Sequence, residues 1–346
     1  MRVLLLTAFS AVFVLGQDDA RWHDLTSEGL RLSKVPNYPV AEVRFRAALE
    51  EAEKWGEADH RLWLSLSNLA LMRENQGDLV EAEKLSRRAL ELREKYLGPE
   101  HAELAAVLHN LAGVYIYQAR YSEADPLLRR ALLIAEHSGD ERQVATILNS
   151  LGLNLMNSGQ RARAEPVLRR SLALFERLDD GESVDVGKVV NNLSMLYRFD
   201  GKPGKAETEL KRALPIFEKN LGPGHPQVAS TLNNLFTVIA EQHRHDEAEP
   251  YLRRALAIGE EACPDSMITT QIRANLASFL AARGRFQEAA QILEDVIARQ
   301  ERLYGPRHPL LANSLANYSV VLGRLHHKAE AKRAENRANS IIKSFR

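Results

Sequence analysis

The sequence predicts an all-α solenoid of about eight antiparallel helix pairs, for three reasons. The first is a period. The tripeptides "SNL" (67–69), "HNL" (109–111), "NSL" (149–151), "NNL" (191–193), "NNL" (233–235), "ANL" (274–276) and "ANY" (316–318) follow one another at spacings of 42, 40, 42, 42, 41 and 42. Such self-similarity marks stacked units that bury their apolar faces on one another rather than around one centre. The second is a set of small residues at constant offsets inside the period. The third is composition: of 346 residues 45% are apolar and 27% charged, while aromatics make up 6%. Ala, Leu, Glu and Arg dominate, which favours helix and excludes a disordered chain. Lys+Arg and Asp+Glu balance at 46 each, so no overall field points to nucleic acid or an anionic membrane.

From the N-terminus, Arg2 precedes the apolar run "VLLLTAFSAVFVL" (3–15), then Gly16 and the acidic "QDD". The order of charged, apolar and small residues is that of an export signal over residues 1–16, with Val14 and Gly16 at the recognition positions. The run is shorter than the roughly 20 residues of a membrane span, so no integral membrane segment is expected after cleavage. A buried first helix is the alternative, and would leave the chain cytoplasmic. Residues 17–346 then form the solenoid. Gly29, Ala41 and Ala48 reproduce the internal offsets in a degenerate copy over 22–59. Six full repeats and the first helix of a last one occupy 60–323, and 324–346 forms a closing helix with Ile341, Ile342 and Phe345 left to cover.

Within a unit, Ala70, Ala112, Gly152, Ser194, Ala277 and Ser319 follow the tripeptide, with Phe236 the exception. Twelve residues on stand Ala82, Ala124, Ala164, Ala206, Ala248, Ala289 and Ala331, and seven further Ala89, Ala131, Ser171, Ala213, Ala255, Val296 and Ala338. Small residues at matched points let two helices approach closely. Gly77, Gly159, Gly201 and Gly284 fall where they must turn. Ser122 and Asp246 are expected as caps of the second helix, and Pro126, Pro166 and Pro250 in or near its first turn.

These residues, together with "RHDEAEPYLRRALAI" (244–258) and the linkers "LGPEH" (97–101), "LGPGHP" (221–226) and "YGPRHP" (304–309), resemble the tetratricopeptide repeat of the longer, roughly 42-residue kind found in kinesin light chains and many bacterial proteins. The resemblance covers nearly everything after residue 22. It implies a right-handed superhelix whose first helices line a concave groove, and a binding scaffold rather than an enzyme. Fold alone names no client.

The candidate site is the ladder Asn68, Asn110, Asn192, Asn234, Asn275 and Asn317, with Ser150 in the third unit. Each stands one residue before a core Leu or Tyr, a 100° step to the edge of the buried stripe. In similar repeat proteins Asn at this step reaches the backbone of a bound peptide, and an amide can pair with both N–H and C=O of an extended chain. Alternatively the amides bond only the neighbouring helix and fix the stacking. The same register puts Ala106, His109, Ile116, Tyr117, Asn149, Asn157, Lys188, Asn191, Arg198, Ser230 and Asn233 on the inner face. Asn149, Asn191 and Asn233 make the central units amide-rich. Lys188 and Arg198 would suit a client's acidic side chain or free carboxylate. The subfamily that clamps chaperone tails wants basic residues three before and one after the Asn step, where the units here mostly have small or amide residues, which argues against such a client.

Other recurrences read as structure. The pairs Arg87/Arg88, Arg129/Arg130, Arg169/Arg170, Lys211/Arg212 and Arg253/Arg254 resemble a polyanion stripe, but Glu83, Asp125, Glu165, Glu207 and Glu249 each precede the first member by four residues. They are expected to form ion pairs along one helix. His101, His225 and His308 recur at the "GPxH" linkers near helix starts, and "HRH" (243–245) and "HH" (326–327) lack partners at metal-ligand spacing. The single Cys263 excludes an internal disulfide. No phosphate loop, nucleophile elbow or HExxH motif is present, so no cofactor, metal or catalytic residue is assigned. The sequence predicts a bacterial, exported, non-catalytic scaffold for a protein or peptide client, without nucleic acid. The alternative is an architectural subunit that assembles through its ends and convex face.

Overall fold

The computed structural model describes residues 17–33 and 38–344, and every regular element there is helical. The export signal and Phe345 lie outside the described residues. Eight helix pairs follow in order. The first three are α1 (Gln17–Ser33) with α2 (Tyr38–Ala52), α3 (His60–Gln76) with α4 (Leu79–Leu97), and α5 (Leu104–Tyr117) with α6 (Tyr121–Ser138). Next come α7 (Glu141–Asn157) with α8 (Arg161–Leu178), α9 (Val184–Phe199) with α10 (Pro203–Leu221), and α11 (Pro226–Glu241) with α12 (His245–Ala262). The last are α13 (Met267–Ala282) with α14 (Phe286–Tyr304), and α15 (Pro309–Arg324) with α16 (Lys328–Lys343).

One turn is repeated from the second pair to the last. Nine residues after each ladder position the backbone is left-handed: φ is 85° at Gly77, 59° at Ala119, 81° at Gly159, 70° at Gly201, 62° at His243, 77° at Gly284 and 65° at His326. The next N–H reaches back five residues, as in Asp78 to Arg73 C=O (2.9 Å) and Arg120 to Tyr115 C=O (2.8 Å), which closes the first helix and aims the second. Three units hold this geometry without glycine.

Six of the first helices begin on side-chain caps. Asp59, Asp140, Ser183 and Ser266 accept from N–H groups of the first turn of α3, α7, α9 and α13. His225 and His308 do the same through Nδ1 for α11 and α15, at 3.1 and 3.2 Å. Two of the three linker histidines are thus caps; His101 instead lies two residues before Glu103, the cap residue of α5, whose side chain makes no cap bond. The second helices differ: Ser122 and Asp246 are not caps but the second residues of α6 and α12. Arg120 and Arg244 hold the cap positions, and they bridge to Glu83 and Glu207 of the preceding unit at 2.6 and 2.7 Å. Pro126, Pro166 and Pro250 sit one turn deeper than expected, each the sixth residue of its helix, and each removes one backbone bond.

The small positions are the closest contacts of the core. Ala82, Ala124, Ala164, Ala206, Ala248 and Ala289 are all fully buried. A Cβ on Gly152 would lie 2.5 Å from the Leu168 side chain, so with Leu168 placed as it is the approach requires glycine. In the degenerate first unit a Cβ on Gly29 would meet the Phe45 ring at 2.7 Å, and Trp22 Nε1 donates to Ser65 Oγ of the next unit (2.8 Å). Apolar packing is continuous from Leu104 to Phe279. Ile341 is buried against Leu311 and Leu315, while Ile342 is exposed.

The basic pairs divide their work. Arg87, Arg129, Arg169, Lys211 and Arg253 pair with the expected carboxylates four residues earlier. Arg244, Lys211 and Gln242 together hold the Glu207 carboxyl down to about 2. Each second member reaches back one unit instead: Arg88 to Glu53, Arg130 to Glu94, Arg170 to Glu136, Arg212 to Glu176 and Arg254 to Glu218. No unpaired basic stripe results. Exposed pairs are individually weak, but these repeat at the first five junctions.

Successive first helices also touch, as α5 does α7, α7 does α9 and α11 does α13, whereas second helices make no comparable approach. The first helices therefore form the inner wall of the superhelix. The wall curls back on itself, and its second and third pairs meet its seventh and eighth. His308 Nδ1 accepts from Leu310 N–H, so its Nε2 carries the proton and donates to Tyr117 C=O (3.0 Å) across 191 residues. Tyr304 stacks on His308, and a Cβ on Gly77 would lie 2.6 Å from the Leu303 side chain.

Two predictions follow from these turns and this closure. A left-handed non-glycine residue costs about 1–2 kcal/mol, partly offset by glycine's freer unfolded chain. His243→Gly and His326→Gly should each stabilise the protein by about 0.5–1 kcal/mol in thermal unfolding. Burial depresses the His308 pKa, so its contribution is full above the unfolded value of about 6.5 and is lost as pH falls below it. His308→Asn keeps a capping side chain but does not titrate. It should lose less stability than the parent between about pH 7 and pH 5, and small-angle scattering should show a larger radius of gyration at pH 7.

Candidate functional site

The tripeptides place two polar side chains on the inner wall of each central unit, and the superhelix brings those of neighbouring units together. Asn192 Nδ2 donates to Asn149 Oδ1 (2.8 Å), Asn234 Nδ2 to Asn191 Oδ1 (3.1 Å) and Asn275 Nδ2 to Asn233 Oδ1 (2.8 Å). One unit earlier His109 Nε2 and Ser150 Oγ are 2.9 Å apart. In every case the second residue of one tripeptide bonds the first residue of the tripeptide before it. The register follows from the period: a step of 41 to 43 residues translates a side chain to the adjoining helix, one residue round.

The ladder ends where this pairing fails. Ala274 has no acceptor to offer Asn317, whose Nδ2 turns to Ser278 Oγ (3.2 Å). At the other end Ser67 Oγ donates to Trp63 C=O (3.0 Å) and accepts from Arg93 (3.0 Å), so among the described residues the ladder does not extend to Asn110 and Asn68. Asn68 is buried and Asn110 half-buried. Asn149, Asn191 and Asn233 are buried, and their partners Asn192, Asn234 and Asn275 are half-buried.

The remaining inner-face residues differ in what they offer. Tyr117 is 44% exposed at the closure contact. Ile116 is buried, Ala106 and Ser230 are half-buried, and Asn157 is exposed at the end of α7. The two cations are both engaged within the chain: Lys188 Nζ lies 2.8 Å from Asp185 Oδ1, and Arg198 holds Glu241 of the next unit through contacts of 2.6 to 2.9 Å. The repeat pattern alone gave neither Asp185 nor Glu241 as their partners. It also missed Gln300, buried in α14 behind the inner wall. A polar residue at an otherwise apolar point of the repeat was the available signal. Cys263 is buried beside Thr269 at the end of α12.

No three His, Cys, Asp or Glu side chains converge on a common point among the described residues, and no described helix is long and apolar enough to cross a membrane. What the inner wall supplies is neutral hydrogen bonding. Each ladder bond uses one amide N–H and one oxygen lone pair, and a carboxamide has two of each.

The model of the tetratricopeptide repeat family matches residues 62–137, 143–219, 185–261 and 266–344. The chain belongs to the tetratricopeptide repeat family. Among solved structures, this repeat protein is similar to a Rap protein complexed with competence and sporulation factor, at 17% identity and a TM-score of 0.72 over 96% of this chain and 88% of that one. It is also similar to the Rap conjugation gene regulator of plasmid pLS20 in complex with the Phr* peptide (14% identity, TM-score 0.63, 94% and 93% covered). BtubC from P. vanneervenii matches at 20% identity with a TM-score of 0.50, over 66% of this chain and 90% of that one. At these identities the likeness is one of fold. No curated protein sequence matches the chain.

A double-mutant cycle measures what a rung of the ladder contributes to the repeat protein. Asn149→Ala and Asn192→Ala should each cost about 1–3 kcal/mol in denaturant unfolding, because each leaves a partner amide unsatisfied. The double mutant should cost less than their sum by about 0.5–1.5 kcal/mol.

Proposed function

We propose that this tetratricopeptide repeat protein is a non-catalytic scaffold that holds an extended peptide segment of a client along its inner wall. The observation that carries the reading is the amide ladder of the central units, from Asn149 to Asn275. It sets carboxamides at regular intervals on adjoining first helices. Every one is neutral and offers both donor and acceptor, which matches a peptide backbone and is indifferent to side chains. The grip is centred on the units of Asn149, Asn191 and Asn233. The Rap regulator solved with the Phr* peptide supports the reading by its fold.

The client's charge follows from the ion pairs. An acidic side chain or free carboxylate would have to displace Asp185 from Lys188 or Glu241 from Arg198. A largely neutral segment meets no such competition. Export to periplasm or medium belongs to the same proposal and rests on the charged, apolar and small-residue order of 2–16.

A second reading has one specific observation behind it. The rungs are bonded within the chain itself, so the ladder also serves an architectural subunit in which amides only fix repeat stacking. A pull-down from periplasm or culture medium separates the two. The parent should recover a client that an Asn192→Ala/Asn234→Ala double mutant of unchanged fold recovers at least about tenfold less. Equal recovery would sink the groove reading, and a concentration-dependent oligomer lost on removing residues 325–346 would establish the architectural one.

A further inference from the structure

The end of the ladder leaves a space. Between α13, α14 and α15 lies a cleft of about 340 Å³, near the lower end of ligand-sized cavities. It opens where Ala274 and Ala316 stand at positions that hold Asn in the central units. Five amides line it (Gln271, Asn275, Gln300, Asn313 and Asn317), and no charged side chain does.

Gln300 is the unusual member. It stands 25 residues after its ladder Asn, a point held by Ala135, Phe175, Phe217 and Gly259 in the four preceding units. All four are buried, as a core position requires. Gln300 is 1% exposed, yet it is polar, and its Oε1 is shielded from solvent with no hydrogen-bond partner. At the equivalent point of the second unit Arg93 is also polar; its Nη1 is taken up by Trp63 C=O and Ser67 Oγ, and its Nε, without a hydrogen-bond partner, lies 3.9 Å from the Glu103 carboxylate. A buried acceptor without a donor is a standing cost that an incoming N–H would remove.

We infer that this cleft is a specificity subsite that takes an uncharged side-chain carboxamide, Asn or Gln, of the bound peptide. The inference rests on the proposed groove. Gln300 belongs to a second helix, behind the wall the first helices make, so a group reaching it projects from the peptide rather than running along it. A turn of the Gln300 carboxamide about its terminal torsion, which is broad and soft, brings Oε1 from its shielded position to the cleft; there the ligand N–H completes it, and the ligand carbonyl takes an N–H from Asn313 or Asn317. A carboxylate brings no donor to Oε1 and no counter-charge awaits it, while an apolar side chain leaves the amides unsatisfied.

The test uses the full chain and blocked polyalanine heptapeptides with a central Gln, Glu or Met, followed through side-chain amide signals by NMR. The Gln peptide should shift the signals of Gln300, Asn313 and Asn317 and bind at least about tenfold more tightly than the other two. Gln300→Leu should abolish that preference without lowering the thermal midpoint, since the position is apolar in neighbouring units. Asn313→Ala, at an exposed residue, should weaken it independently. Three peptides binding equally, with shifts confined to Asn149, Asn191 and Asn233, would overturn the subsite and leave the groove standing. No shift anywhere on the inner wall would overturn both.

Discussion

A pair of helices joined by a tight turn cannot bury its apolar face alone, and every other feature of this protein depends on how it meets the next pair. The meeting is set by close approach. Fully buried alanines recur at the same point of successive second helices, and the left-handed turn holds each pair at one angle. The turn matters enough to be kept at Ala119, His243 and His326, where no glycine relieves it. Similar junctions then accumulate into a superhelix whose first helices converge and whose eighth pair touches the third through His308 and Tyr117.

The polar contacts follow the same translation. An arginine of each second helix from α4 to α12 reaches a glutamate one unit back, and an amide of each central first helix reaches the amide one unit back. The two sets differ in setting. The ion pairs are exposed and screened, so they favour register more than stability. The amide bonds join a buried residue to a half-buried one, where an unmade bond costs more. The same rungs can stiffen the wall and present regular polar groups to whatever lies against it.

Much of this was legible in the chain. The 42-residue period gave the units, the small residues gave the helix contacts, and the acid four residues before each Arg gave the neutralised face. The recurrence of Asn at one step of the first helix was also plain, though what it contacts was not. What the period could not show was which residue of one unit meets which of the next. Asn192 with Asn149, and Arg212 with Glu176, are pairings between helices, and they depend on the rotation from one pair to the next. Lys188 and Arg198 looked available for the same reason, because Glu241 comes near Arg198 only through that rotation. Ser122 and Asp246 looked like caps because capping residues favour helix starts, yet the tight turn gives those starts to Arg120 and Arg244.

By itself, then, the sequence determined the all-helical repeat, its period, the close contacts within a unit and the neutral, amide-rich character of the inner wall. Each of these is a local or periodic property, encoded by residue type at fixed spacing. Tertiary structure alone decided the ladder's partners, the loss of the free cations, the closure at His308 and the buried, partnerless Gln300. Those depend on the superhelical rotation between units, a quantity set by the sum of side-chain shapes at every junction and written at no single position.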